Sequence, residues 1–284
     1  TLVDPILPGD AGQTSYGNAG LLARTSVMPV ATPSLVRKAP LMALDPSEPL
    51  YLRWRYLPRL LPWLIPFLRN STPERIRQIA GALTELTFDS TEQHLALAKG
   101  TPAEAFICHG DYISLYRTRA DYDHDTLGDE IRKRFDMVPE TLSRAELVDR
   151  DPHLGPDYTF GTLYHSFGWL SSPGGYVRAL FDHYRSQGGA FRQGRVASIT
   201  PGEAPSVTLE GGAVLSADKI VLTAGAWSRL FAGSLGMKMR LEAERGYHVS
   251  MLNPSFTAPH PYMVTDAKFV LTPMQDTLRA AGVV

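Results

Sequence analysis

The sequence lacks several features that would each point to a particular class of protein. Cys108 is the only cysteine among 284 residues, which excludes an internal disulfide and a multi-cysteine metal site and indicates a reducing compartment. No apolar run approaches the ~20 residues of a membrane-spanning helix. The eight histidines show no short metal-ligand spacing, and no Gly-x-Ser-x-Gly motif indicates a nucleophilic serine.

An excess of charge of one sign is also missing. The 28 lysines and arginines nearly balance the 29 aspartates and glutamates, giving a formal net charge of −1, so there is no electrostatic basis for nucleic-acid binding. Hydrophobic residues make up 44% and charged residues 20% of the chain, values typical of a globular protein. The length allows two modest domains.

The first part of the chain contains a short strand, segments rich in proline and glycine that indicate turns and loops, and two helical patterns. A short apolar strand at Thr1–Asp4 leads into a Pro/Gly turn region, and the segment from about Pro29 to Leu50 is irregular and proline-rich. Apolar residues at helical spacing over 53–70, with three interior prolines, predict a helix. One long amphipathic pattern over 72–100 begins on Thr72-Pro73-Glu74, where threonine caps and proline occupies the first helical position.

The second part is mixed and then β-rich. A strand over 111–117 is followed by short helices, and a βαβ-like run has its helix over 173–191. A buried strand at 219–224 is expected to lead into a helix, and the tail over 246–284 contains four strand-like pieces. The order of elements predicts an α/β protein with two discontinuous domains.

Two glycine-bearing turns suggest a nucleotide. A strand that ends in a carboxylate, here Asp4, followed by a loop of small residues, here Ser15–Gly20, is typical of the second strand of a dinucleotide-binding unit, whose carboxylate binds ribose hydroxyls. The strand in Lys219–Ser228 opens into Ala224-Gly225-Ala226, where open α/β sheets place ligands. Ordinary tight turns explain each site taken alone, whereas the combination favours a nucleotide.

Five motifs of the chain, taken together, resemble those of a known protein family. The motifs "TLVD", "TSYGNAG", "GGYVRALFDHYRSQGGAFRQGRVASI", "DKIVLTAGAWSRLFAGSLG" and "ERGYHVSM" resemble the FAD-dependent oxidoreductases of the D-amino-acid oxidase superfamily, nearest to bacterial D-amino-acid dehydrogenases. The resemblance implies a Rossmann-like FAD-binding domain, formed by 1–100 and 160–236, and a substrate domain with a mixed or antiparallel sheet, formed by 101–159 and 237–284.

The resemblance also implies residue roles at a non-covalently bound FAD. Asp4 would hold the adenosine ribose, and Val196 would meet the adenine through its backbone. The remaining positions pass beside the pyrophosphate and the flavin or close over the nucleotide: Ser15, Asn18, Ala19, Gly20, Leu21, Ala224, Gly225 and Trp227. A plain core valine is the alternative for Val196.

The implied chemistry is the oxidation of a C–N bond. A D-amino acid would lose hydride from Cα to flavin N5, and the imino acid would hydrolyse to the 2-oxo acid and ammonia. Oxidation of sarcosine or glycine is the alternative within the same scaffold, and a truncated, non-catalytic relative is the alternative outside enzymes. Quinone or another membrane acceptor, rather than oxygen, is the expected electron acceptor.

The β-rich tail supplies the candidates for substrate contact. Arg245, Tyr247 and His248 place a cation, a phenol and an imidazole on one predicted strand, with Arg245 and Tyr247 sharing a face. A structural ion pair for Arg245 and sheet packing for Tyr247 are equally good interpretations. His165 is a weaker candidate, because a surface or core histidine is more usual.

Two expectations concern what lies around this chain. The family begins with a Gly-x-Gly-x-x-Gly turn that would precede Thr1, and it continues past Val284 with a segment that commonly supplies an arginine for the substrate carboxylate. We therefore expect an internal part of a longer protein, which binds FAD poorly alone. The Leu/Trp/Pro-rich stretch Trp54–Phe67, flanked by Arg53, Arg55, Arg59 and Arg69, packs on its own domain or lies against a membrane. The expected location is the cytoplasm, and the alternative is peripheral association with the inner membrane.

Overall fold

The computed structural model describes residues 1–30, 32, 33, 36, 54–241, 243 and 245–282. The proline-rich segment predicted from Pro29 to Leu50 lies almost entirely outside these residues. The described residues form a mixed α/β fold, as the sequence predicts.

Thirteen strands are present among the described residues. Their bounds are β1 Leu2–Asp4, β2 Leu21–Leu22, β3 Ile107–Tyr116, β4 Glu140–Ser143, β5 Phe160–Leu170, β6 Phe191–Gln193, β7 Val196–Thr200, β8 Ser206–Leu209, β9 Val214–Ser216, β10 His248–Leu252, β11 Tyr262–Val264, β12 Phe269–Pro273 and β13 Thr277–Gly282. The α-helices are α1 Leu57–Arg69, α2 Pro73–Thr87, α3 Ser90–Ala98, α4 Arg119–Asp123, α5 Thr126–Arg134, α6 Arg144–Arg150, α7 Pro173–Ser186 and α8 Arg229–Ala232. Short 3-10 helices occupy Trp54–Tyr56, Pro102–Phe106, Gly225–Ser228 and Gly233–Leu235.

The strands form three sheets. The largest is mixed and has the order β10-β13-β12-β11-β3-β5-β2, with β4 also pairing with β5. Strand β1 pairs in parallel with β6, and β7, β8 and β9 form an antiparallel sheet. The strand predicted at 111–117 and the four strand-like pieces predicted in the tail are therefore confirmed.

Local sequence explains where the helices begin. The Thr72 side chain accepts a hydrogen bond from the Arg75 N–H, and Pro73 occupies the first turn of α2, where it loses no hydrogen bond. Ser143 and Glu146 form a reciprocal capping box at α6. Ser172 caps α7 by accepting from the Gly175 N–H.

The long pattern over 72–100 is two helices, so the prediction of one amphipathic segment is wrong. Helix α2 ends at Thr87 and α3 begins at Ser90. The two helices bury their apolar faces in different clusters: Ile76 and Ala80 pack with Ile131, whereas Ala98 packs with Leu22. A single straight helix would reach only one cluster.

The strand predicted at 219–224 is also absent among the described residues. This segment has no regular secondary structure, and Val221 is 82% exposed. Its apolar run indicates burial in a sheet, but a strand also needs a neighbour to pair its N–H and C=O groups. No described strand supplies that neighbour.

Candidate functional site

The carboxylate of Asp4 lies at the end of β1. Its Oδ1 accepts a hydrogen bond from the Ile6 N–H at 2.9 Å, and its backbone carbonyl accepts from the Gly194 N–H at 3.0 Å. Gly194 is two residues before Val196, which begins β7 opposite Leu209. The fold therefore brings Asp4 and Val196, the two residues predicted at the adenosine end, to one region.

The loop Ser15–Gly20 holds its shape through its own side chains. Asn18 Oδ1 accepts the Gly20 N–H at 2.8 Å, and Gly20 has a positive φ of 74°. The Gly20 carbonyl accepts from the Leu170 N–H at 2.8 Å, after which Leu21 pairs with Trp169. The loop is thus fixed against the end of β5.

The large sheet binds the same loop from one face. Arg279 Nη1 donates to the carbonyls of Tyr16 and Asn18 at 2.8 and 3.0 Å, and Thr272 Oγ1 donates to the Ala19 carbonyl at 2.8 Å. Thr272 and Arg279 are direct partners on β12 and β13, so their side chains share a face. We call this surface the loop face.

His248 also belongs to the loop face, because it pairs with Ala281, two residues beyond Arg279. Its ring lies so close to Gly17 that a Cβ atom there would be 2.9 Å away. The fold therefore joins one predicted substrate residue to the predicted cofactor loop. The local sequence does not predict the contact between Gly17 and His248, because these residues are far apart along the chain.

The prediction that Arg245 and Tyr247 lie on the same strand as His248 is wrong. Strand β10 begins at His248. Tyr247 contributes only its carbonyl, which accepts from the Gly282 N–H at 3.1 Å, and it is 73% exposed. Because these two residues precede the paired segment, alternation along a strand does not fix which way they point.

The turn predicted to close over the nucleotide forms a 3-10 helix, Gly225–Ser228. The Trp227 N–H donates to the Ala224 carbonyl at 3.0 Å, and Trp227 is 57% exposed. Among the described residues, no hydrogen bond joins this helix to Asp4 or to the loop Ser15–Gly20. The role of this third predicted element at the nucleotide therefore stays a prediction.

An aromatic group that the sequence analysis did not single out extends the loop face along β3 and β5. Tyr112 lies directly opposite Tyr164 and stacks on Phe167 at 4.6 Å between ring centroids. Burial raises the pKa of both phenols, so they stay neutral. They can therefore bind a ligand through hydrogen bonds but not through a negative charge. The available signal was the pair Tyr112 and Tyr116 in "DYISLY", which are four residues apart and so lie on one face of a strand.

Arg132, on α5, lies beside these tyrosines. Its Nη1 donates to Asp125 at 3.1 Å, and its guanidinium carbon is 5.4 Å from the centre of the Tyr122 ring. The Nε and Nη2 atoms are buried and have no hydrogen-bond partner among the residues that the structure describes. Buried donors without partners are unfavourable, so binding of a hydrogen-bond acceptor beside Arg132 would be stabilising.

The loop is suited to the FAD that the sequence resemblance implies. Its carbonyls at Tyr16, Asn18 and Ala19 are bound by the sheet. The N–H groups of Gly17, Asn18 and Ala19 have no hydrogen-bond partner within the described part of the chain. Successive free N–H groups on a loop of small residues form a concave site for an anionic or hydrogen-bond-accepting group.

His165 is bridged by two carboxylates away from the loop. Its Nδ1 lies 2.9 Å from Asp111 Oδ1 and its Nε2 lies 3.1 Å from Glu140 Oε2. These hydrogen bonds, led by the one to Asp111, raise the pKa of His165 above its usual value. The side chain is 59% exposed, which supports the surface role over a role in the cleft.

The raised pKa of His165 gives a pH-dependent stability. Because the folded pKa exceeds the unfolded one, the stabilisation is complete below the unfolded value of about 6.5 and is lost as the pH rises through the folded pKa. We expect His165→Gln to lower the Tm at pH 5.5 and to have little effect at pH 9. His124→Gln, at an exposed site without an ion pair among the described residues, is the control. An equal loss of Tm at both pH values would contradict this prediction.

Comparison with known families gives a match along nearly the whole chain. Residues 1–283 match the family model described as FAD dependent oxidoreductase, DAO. A D-amino-acid oxidase of Bradyrhizobium diazoefficiens is 36% identical over 287 aligned residues, which cover 100% of this chain and 68% of that protein. A D-amino acid dehydrogenase of Phenylobacterium zucineum is 28% identical, covering 96% of this chain and 66% of that protein. The chain thus spans about two thirds of the length of these relatives.

Solved structures share the fold at low sequence identity. Glycine oxidase from Geobacillus kaustophilus superposes with a TM-score of 0.60 at 16% identity, over 99% of this chain and 65% of that one. Iminodiacetate oxidase from Chelativorans sp. BNC1 gives 0.59 at 15% identity, over 99% and 63%. Both comparisons support the predicted mixed α/β fold with a Rossmann-like part, and the division into two domains stays a prediction.

Proposed function

Because this chain belongs to the DAO family of FAD-dependent oxidoreductases, we propose that the protein oxidises the Cα–N bond of a D-amino acid. The observation that carries the proposal is the 36% identity to a D-amino-acid oxidase over the full length of the chain. The products would be the 2-oxo acid and ammonia.

The residues that would hold FAD are those at the Asp4 strand end and in the loop. Within the part of the chain that the structure describes, one carboxylate oxygen of Asp4 is free for a ribose hydroxyl, and the N–H groups of Gly17, Asn18 and Ala19 are available to phosphate or ring oxygens. Bound FAD supplies the electron acceptor for the reaction. Val196, Ala224, Gly225 and Trp227 stay predictions for the adenine side of the cofactor.

The protein's own contribution to the reaction is orientation. A substrate on the loop face would lie between the loop and the phenols of Tyr112 and Tyr164, which are neutral and hold a proton on each oxygen. His248, beside Gly17, offers an imidazole at the same surface. Arg245 and Tyr247, exposed just before β10, are proposed as further substrate contacts.

Anaerobic titration of the FAD-loaded protein tests this function. We expect D-alanine to bleach the flavin absorption and L-alanine, glycine and sarcosine to leave it unchanged. Bleaching by glycine or sarcosine alone would assign the protein to secondary-amine or glycine oxidation, the second candidate, which the fold shared with glycine oxidase favours. Absence of flavin from the full-length protein would leave a non-catalytic relative.

We also propose that the electrons pass to a membrane acceptor, with α1 lying on the membrane surface. No residue of α1 is buried. Leu61, Ile65 and Leu68, at helical spacing, are 39%, 43% and 37% exposed, forming an apolar stripe. Arg55, Arg59 and Arg69 are the charged residues of this region, and none is acidic, which suits anionic lipid. None of the helices that the structure describes is long and apolar enough to cross a membrane.

Vesicle sedimentation tests the membrane contact. We expect the protein to sediment with vesicles containing phosphatidylglycerol and to stay in solution with phosphatidylcholine alone. Leu61→Ser with Ile65→Ser should lower the bound fraction at least threefold. Leu86→Ser, at a residue of α2 that is 76% exposed, is the matched control and should leave binding unchanged. Equal binding by both variants would contradict the proposal.

A further inference from the structure

Arg279 is an almost fully buried cation in the apolar strand β13. It is 9% exposed. Besides its two bonds to the loop carbonyls of Tyr16 and Asn18, its Nε donates to Ser250 Oγ at 3.3 Å. Its polar partners are therefore neutral oxygens, two of which belong to the loop that the proposed function assigns to FAD.

No carboxylate balances this charge. Within the described part of the chain, Arg279 takes part in no ion pair, whereas Arg77, Arg117 and Arg119 each pair with an acidic residue. Burial lowers the pKa of the Arg279 guanidinium. A buried charge without a counter-ion is costly, and the cost is reduced when an anion binds nearby.

The geometry of the loop places such an anion. Arg279 and Thr272 draw the carbonyls of Tyr16, Asn18 and Ala19 to the sheet, which leaves the N–H groups of Gly17, Asn18 and Ala19 unpaired. One guanidinium nitrogen, Nη1, donates to both carbonyls and so fixes their separation. Uncompensated positive charge and free N–H groups therefore occur at the same loop.

We infer that Arg279 is a positioning residue for FAD: its Nη1, bound to two loop carbonyls, sets the loop so that the N–H groups of residues 17–19 face the cofactor, and its unbalanced charge favours a negative group of the bound cofactor. The negative group is the pyrophosphate or the reduced ring system. The inference rests on the proposed function, because it assumes that the loop binds FAD.

FAD affinity of three variants tests the inference. In fluorescence titrations of the protein stripped of cofactor, Arg279→Lys should raise the Kd of FAD about threefold to tenfold, because lysine keeps the charge but its shorter side chain stops short of the Nη1 position and has no Nε–H for Ser250. Arg279→Gln should raise it more than tenfold. Thr272→Val removes the bond to Ala19 without removing charge and should raise it less than threefold. Melting curves check that each variant folds.

Several results would overturn the inference. Wild-type affinity in Arg279→Gln would do so, and so would equal losses in Arg279→Gln and Thr272→Val, which would indicate loop packing alone. If Arg279→Gln does not fold, Arg279→Lys decides: an unchanged Kd overturns the inference and a weakened Kd at unchanged Tm supports it. Wild-type protein that binds no FAD would instead contradict the proposed function.

The flavin midpoint potential identifies the negative group. A more negative potential in Arg279→Gln assigns the charge effect to the reduced ring system, whose negative form would lose its neighbouring cation. An unchanged potential with a raised Kd assigns the effect to the pyrophosphate. Both results support the inference and differ only in the part of the cofactor that Arg279 meets.

Discussion

Gly20→Ala is expected to lower the free energy of unfolding by about 3 kcal/mol and to weaken FAD binding strongly. The φ of 74° at Gly20 costs a residue with a side chain roughly 1–2 kcal/mol. In addition, a Cβ atom would lie 2.9 Å from the Leu170 carbonyl oxygen and 3.1 Å from Met274 Cε. The Leu170 carbonyl belongs to the backbone of β5, so it cannot shift without disturbing the sheet. Overlap of this kind lowers the free energy of unfolding by about 1–3 kcal/mol more.

Gly100→Ala is the matched control. Gly100 has nearly the same φ, 70°, but nothing lies within 4 Å of a Cβ atom there. Urea unfolding of both variants separates backbone strain, which they share, from the contact with Leu170. We expect Gly100→Ala to lose only about 1 kcal/mol and to keep FAD. Equal losses in the two variants would show that the packing of the loop against β5 contributes nothing.

Tyr262→Phe is expected to lower the free energy of unfolding by about 2 kcal/mol. The Tyr262 hydroxyl donates to Asp151 Oδ2 at 3.0 Å, and both residues are buried, with 1% and 4% exposure. A hydrogen bond to a charged group contributes about 1.5–3 kcal/mol, and its removal leaves a buried oxygen without that donor. The bond joins β11 to the end of α6, so its loss loosens the packing of α6 on the sheet.

The same chemistry at an exposed site provides the control. The Tyr158 ring is partly buried against the core, but the hydrogen bond from its hydroxyl to Asp266, at 3.3 Å, is exposed, so water replaces a lost partner there. Tyr158→Phe should change the free energy of unfolding by less than about 0.5 kcal/mol. If the two variants lose equal stability in urea unfolding, burial is not the source of the effect at Tyr262.

Patterns read along the chain were sufficient for most of the fold. Alternation in "DYISLYR" predicts β3, and the helical pattern that begins at Pro173 predicts α7, because these signals depend on neighbours within a few residues. The buried strand predicted at 219–224 failed because hydrophobic residues indicate burial without specifying a partner strand. The prediction of one segment over 72–100 failed for a similar reason, since the apolar faces of α2 and α3 pack into different clusters that the sequence does not specify.

The candidate site was predicted in its parts but not in its assembly. Asp4 and the loop Ser15–Gly20 are recognisable because a strand end and a run of small residues are local features. Arg279 was missed, although a charged residue inside the otherwise apolar "TLRAAG" was a usable signal. Tyr112 and Tyr164 were missed because only the pairing of β3 with β5 places them opposite each other.

The sequence by itself determined the family, through the resemblance of its motifs to known members. It also determined the mixed α/β class and the residues of the loop, because periodicity and runs of small residues carry that information locally. Only the tertiary structure decided that Arg279, Thr272 and His248 meet this loop, since the register between strands distant along the chain sets those contacts. A shift of one residue in β13 would turn Arg279 to the opposite face of the sheet. Long-range pairing therefore converts a recognisable loop into a site with a defined charge and a defined set of free N–H groups.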